Sequence, residues 1–235
     1  MHIGILVTNT VRSDFAKARA DDGEKFRALL QPLRPQWQFT AVQVRDGEFP
    51  KAVHAFDGYV ITGSPASANG GEAWIEKLMG FIRELNLAHI PTVGICFGHQ
   101  VIARALGGSV GKNPEGWGFG ISPTHFTAHQ SWMLPAQTTV NLYAAHTEQV
   151  ITLPKNAEAL GGSPFCPIGS YKIGDHIFTT EYHPEMTPEF ITDLSHEKEN
   201  YIGQPIAERA REQFKTPADG KIFAQWMVQF FELPR

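Results

Sequence analysis

Cysteine occurs twice in the 235 residues, and one of the two stands where a thiol can do chemistry. In Pro91-Thr92-Val93-Gly94-Ile95-Cys96-Phe97-Gly98-His99-Gln100, a β-prone apolar run passes straight into a helix-forming one, with glycine two residues to either side of Cys96. This is the spacing of a nucleophile elbow, with sulfur in place of the serine hydroxyl. A turn that tight leaves no room for Cβ atoms beside the strained nucleophile, hence Gly94 and Gly98. The helix beyond turns its N-terminal amides and positive dipole end toward the sulfur, which predicts a lowered thiol pKa. The Phe97 N–H, unpaired in the first helical turn, is free to donate to an oxyanion. Cys166, between Phe165 and Pro167, has no such setting and reads as a small buried hydrophobe.

A thiol nucleophile needs a base, and the base needs a group to orient it. Among ten histidines the best placed is His183, in Thr179-Thr180-Glu181-Tyr182-His183-Pro184-Glu185. A strand over residues 176–182 ends at Pro184, which puts His183 at the carboxyl lip of the sheet, where open α/β sheets build their sites. Glu185 is two residues on, so in extended backbone it faces the same way and can hold the imidazole tautomer. His125 and His129 have an H-x-x-x-H spacing, but their neighbours read as a strand. There the two side chains stand roughly 13 Å apart, too far for one ion, so no metal site is expected.

The elements that position these residues alternate. Strands are predicted at 2–7, 38–44, 57–62 and 91–95, with helices at 11–33, 74–85 and 97–106, the last stopped by Gly107-Gly108. Such alternation means an α/β fold, an open and mostly parallel sheet with helices on both faces. Residues 108–182 are rich in Gly, Pro and Thr and read as a small antiparallel or mixed insertion. Helix returns after Pro184 and ends in an aromatic stripe, Phe223, Trp226, Phe230 and Phe231, expected to pack in the core. With no repeat or low-complexity linker, residues 1–235 read as one domain.

Composition narrows the classes. Formal net charge is −4 and no Lys/Arg run occurs, which argues against nucleic-acid binding. Apolar runs fall far short of the roughly 20 residues of a membrane span. The first residues enter a strand with no basic stretch or cleavage site ahead of it, and two cysteines make no disulfide framework. A reducing cytoplasm is the expected compartment.

Taken together, the elbow Gly94–Gln100 and the His183-Pro184-Glu185 segment resemble the class I glutamine amidotransferases, closest to stand-alone GMP-synthase-like members. Two further segments carry the resemblance: Val60-Ile61-Thr62-Gly63-Ser64-Pro65-Ala66-Ser67 and Tyr143-Ala144-Ala145-His146-Thr147-Glu148. The resemblance implies a flavodoxin-like fold, a Cys96-His183-Glu185 triad, and oxyanion donors at Ser64 and Phe97, with Gly63 allowing the turn. It also implies substrate contacts from Gln100 and from the Ala145-His146 segment, and a thioester route from glutamine to glutamate and ammonia that uses no cofactor. The chain departs from the pattern at Glu181, usually Gln, and at Ala145–Glu148, usually Ser-His-Gly-Asp. Three functions stay open: a glutaminase subunit feeding a separate ammonia-accepting synthase, a peptidase of γ-glutamyl peptides or conjugates, and a non-catalytic binding module.

Overall fold

The computed structural model describes residues 1–216 and 218–234. The chain begins with β1 (His2–Leu6), α1 (Asp14–Lys17), α2 (Asp22–Leu30), β2 (Gln38–Val42), β3 (Gly58–Ile61), α3 (Ala73–Leu87), β4 (Thr92–Ile95) and α4 (Phe97–Ala105). It continues with β5 (Ser109–Lys112), β6 (Gly118–Phe126), β7 (Thr139–His146), β8 (Glu148–Thr152), β9 (Ala157–Gly162), β10 (Ser170–Ile173) and β11 (Ile177–Thr180). Three helices close it: α5 (Pro188–Ile202), α6 (Gln204–Gln213) and α7 (Gly220–Phe231).

Nine strands form one sheet in the order β2-β1-β3-β4-β11-β10-β9-β6-β7. The ladders from β2 to β11 are parallel, and those from β11 to β7 antiparallel. The predicted insertion therefore extends the main sheet beyond β11, apart from a separate two-stranded antiparallel sheet, β5-β8. β3 and β4 are buried at every position, as parallel strands covered on both faces must be. Ile3, Ile5, Val60 and Val93 point to one face, under α2 and α7; Leu6, Tyr59 and Ile61 point to the other, under α3 and α4. The α7 aromatics Phe223, Trp226, Phe230 and Phe231 are core residues, as expected. No helix among the described residues is long and apolar enough to cross a membrane.

The helix predicted over 11–33 is instead two. Ser13 caps α1, and Asp21 opens α2 with a reciprocal capping box: the Glu24 N–H donates to Asp21 Oδ1 and the Asp21 N–H to Glu24 Oε2, both at 2.9 Å. Asp21 is thus a helix start in the middle of a polar run, and the break gives the chain a corner beside the site.

Candidate active site

Cys96 is the hinge between β4 and α4, with φ 50° and ψ −106°, a conformation a side-chain-bearing residue adopts only under constraint. The constraint is visible. The Cys96 N–H donates to the Thr180 carbonyl at 2.8 Å, and the Cys96 carbonyl accepts from the Gln100 N–H at 3.0 Å. A Cβ at Gly98 would overlap the Ile61 carbonyl oxygen, and one at Gly94 would lie 2.8 Å from that of Gly98. Strand β3, the elbow and α4 therefore meet backbone to backbone.

The loop after β3 is aimed by two residues the sequence reading passed over. The Thr8 hydroxyl donates to the carbonyls of Thr62 (2.9 Å) and Gly63 (3.0 Å), and the Thr8 N–H donates to Thr62 Oγ1 at 3.0 Å. Across a trans peptide the N–H points opposite to the carbonyl. Fixing the Gly63 carbonyl toward Thr8 thus turns the Ser64 N–H away from Thr8, in a loop whose Gly63 and Ser64 line a cleft with Cys96. The available signal was position: Thr8 and Thr62 are polar residues just past the carboxyl ends of adjacent buried strands.

His183 follows β11 and pairs with β7, its N–H donating to the Tyr143 carbonyl at 2.8 Å. Its Nδ1 is 2.7 Å from Glu185 Oε1, and both side chains are buried. A Cβ at Gly63 would lie 2.9 Å from His183 Cε1 and 3.7 Å from Cys96 Cβ, so loop, imidazole and Cys96 converge and only glycine fits between them.

Beside Cys96 is a buried polar cluster. Glu181 has no exposed surface, and Gln100 Nε2 donates to its Oε1 at 2.8 Å. His99 Nε2 stands 3.6 Å from Glu181 Oε2, and His146 Nδ1 3.9 Å from Oε1. Burial lowers His99 to about 3 and His146 to about 4, and raises Glu181 well above the carboxylate range. The lowered thiol pKa expected at Cys96 is not what the site produces. Burial raises it, and the charges of Glu181 and Glu185 add to the rise, outweighing the Phe97 N–H that opposes them. Cys166 is fully buried, and burial raises its thiol too.

A cleft of about 480 Å³ opens over Cys96, His183, Glu185, Gly63 and Ser64. Ala145 and Thr147 line it, whereas Gln100 and His146 do not: each is turned inward, donor or ring toward the Glu148 carbonyl, at 2.8 and 3.0 Å. Phe97 reaches the site by its backbone alone, since its ring packs on Trp74 with centroids 5.4 Å apart. Beyond the cysteine the cleft runs on between the α1–α2 corner and α5, a wall that no motif announced.

Fold and site together define an α/β protein with a cysteine elbow at the carboxyl edge of a parallel sheet and a histidine–glutamate pair beside it. The family model for glutamine amidotransferase class-I matches residues 29–193, and the chain belongs to that family. It is 30% identical to γ-glutamyl peptidase 4 of Arabidopsis thaliana, over 97% of this chain and 94% of that one. It is 33% identical to a glutamine-hydrolyzing GMP synthase subunit of Methanosphaera stadtmanae, over 50% of this chain and 63% of the relative. A glutamine amidotransferase from Thermotoga maritima shares the fold, with a TM-score of 0.77 at 16% identity, over 99% of this chain and 98% of that one.

Proposed function

We propose that this chain is a cysteine hydrolase of γ-glutamyl amide bonds acting on γ-glutamyl peptides or conjugates. The observation that carries the reading is the cleft, which continues past Cys96 along the α1–α2 corner and α5 and is far roomier than release of ammonia alone requires. The full-length likeness to a γ-glutamyl peptidase supports it.

The Nδ1–H of His183 is held by Glu185, which leaves Nε2 as the base. Cys96 passes its proton to that nitrogen as the sulfur attacks the side-chain carbonyl carbon. The N–H groups of Ser64 and Phe97 receive the oxyanion. His183 then returns the proton to the leaving nitrogen as the C–N bond breaks, giving a thioester and a free amine. Water gives one proton to His183 as its oxygen attacks the thioester; the C–S bond then breaks, the sulfur takes that proton back, and the glutamyl carboxylic acid that leaves loses its remaining proton to solvent. A thiol pKa raised by burial suits this route, because the proton then moves to His183 as a carbonyl is attacked.

The second reading is glutamine hydrolysis feeding ammonia to a separate synthase, favoured by the likeness to the GMP synthase subunit of Methanosphaera stadtmanae. Amine release from γ-glutamyl dipeptides and glutamate release from glutamine, measured side by side, separate the two. We expect turnover of the dipeptides, reduced by about 10⁴-fold or more in Cys96→Ala with an unchanged circular dichroism spectrum. Turnover of glutamine alone would favour the ammonia-feeding reading, and turnover of neither would sink both.

A further inference from the structure

Helix α5 faces the cleft with Phe190, Leu194, Lys198 and Tyr201, joined at its end by the buried Ile202, while Ile191 and Ser195 on its other side are buried away from it. Spaced at i, i+4, i+8 and i+11, those four form one stripe that runs about 16 Å along the helix. Its first half is packed, Phe190 against Phe15 and Leu194 against the core, but the stripe continues as a wall of the cavity that holds Cys96, and at its far end Tyr201 is 73% exposed and meets Trp117 edge-on, with centroids 5.4 Å apart.

The cations lining the cleft are Arg12, Lys17, Arg19, Lys25, Arg45 and Lys198. All but the last have a carboxylate within 4.0 Å: Arg12 and Arg45 share Asp46, Lys17 has Asp14, Arg19 has Asp193, and Lys25 has Asp22 and also sits over the Phe190 ring. Lys198 is half-buried and has no ion pair among the described residues, although Glu197 precedes it on the helix and also lines the cleft. A partly desolvated ammonium without a counter-ion, on the wall of a substrate cavity, is a place for an anion.

We infer that Lys198, with Trp117 and Tyr201, forms a leaving-group subsite for γ-glutamyl peptides whose released part has an apolar or aromatic side chain and a free carboxylate. The inference rests on the γ-glutamyl reading above. The glutamyl moiety occupies the end formed by Gly63, Ser64, Ala145 and Thr147, and the amine being released extends along α5. Its side chain lies against the Trp117–Tyr201 pair, and its carboxylate meets Lys198. Ammonia can use none of these contacts.

The test compares kcat/KM for γ-glutamyl-phenylalanine with that for the same dipeptide carrying a C-terminal amide, within each variant, so that the ratio is independent of folding yield. The wild type should favour the free acid by about tenfold, as one charge-assisted contact in a half-exposed site provides. Lys198→Arg should keep the preference, Lys198→Ala should bring it near one, and Lys198→Glu should reverse it. A wild-type ratio near one, or a preference that survives Lys198→Ala, overturns the subsite. Wild type that cleaves neither dipeptide yet hydrolyses glutamine overturns it too, and identifies the γ-glutamyl peptide reading itself as the failure.

Discussion

At Cys96, burial and the charges of Glu181 and Glu185 raise the thiol pKa, against the Phe97 N–H that lowers it. An elbow cysteine at a helix N-terminus should be acidic, yet the sulfur is enclosed and shares its pocket with Glu181 and the nearby Glu185. Glu181 and Cys96 are adjacent buried acids, so the second to ionise does so against the charge of the first. Glu181 is also the departure from the family pattern that the sequence marked, and the structure buries its carboxyl close enough to Cys96 to raise the thiol. Replacing Glu181→Gln removes that charge while keeping an amide to meet Gln100. We expect the pH midpoint for alkylation of Cys96 by iodoacetamide to move down, with faster labelling at neutral pH. An unchanged or raised midpoint would show that Glu181 does not raise the thiol.

Among the elements, the junction of β3, β4 and α4 leaves least slack. Gly98 lies in the first turn of α4, where an alanine is ordinarily welcome. Its missing Cβ is replaced by the Ile61 carbonyl, which belongs to backbone that cannot step aside without dragging the Thr62–Ser64 loop with it. We expect Gly98→Ala to cost about 1–3 kcal/mol in urea denaturation, and any enzyme that still folds to lose activity out of proportion. A variant of wild-type stability and activity would mean that the elbow tolerates the approach. Thr8 belongs to the same scale, because it transmits the end of β1 to the loop after β3 through the hydrogen bonds that orient Gly63.

Across the whole molecule, α7 joins the two halves of the sheet. Phe231 packs edge-on against Trp37 by the parallel half, while Trp226 meets Phe126 of β6 and its Nε1–H donates to the Pro135 carbonyl at 3.0 Å. Folding around this core also encloses His99, His146 and Glu181, which makes stability depend on pH. The unfolded chain protonates its histidines below about 6.5, whereas the folded chain keeps His99 neutral to about 3 and His146 to about 4. In that window the unfolded state binds more protons, so each histidine lowers stability as pH falls. Glu181 has the opposite sign: folded it keeps a proton that the unfolded chain loses above about 4.5, so its contribution falls as pH rises. From pH 6 to pH 5 two histidines oppose one carboxyl, so stability falls by on the order of 1 kcal/mol. Urea midpoints at pH 5 and pH 6 check this, and a midpoint that holds or rises at pH 5 contradicts it.

Much of this was legible in the residues because it is local. Gly94-x-Cys96-x-Gly98 specifies an elbow through backbone sterics within one turn, and Glu185 reaches His183 because alternate residues of extended chain face the same way. The parallel strands and the α7 stripe were legible from hydrophobic period alone. What the residues could not decide depends on distance through space. The pKa of Cys96 turns on how completely β11 and α4 enclose it with Glu181. The aim of the Ser64 N–H is decided by Thr8, 55 residues away from the Gly63 carbonyl it holds. The inward turn of Gln100 and His146 follows from where the buried carboxyl lies. The long wall of the cleft exists only because α5, late in the chain, folds back beside the corner at Asp21, and no spacing within either segment encodes that meeting.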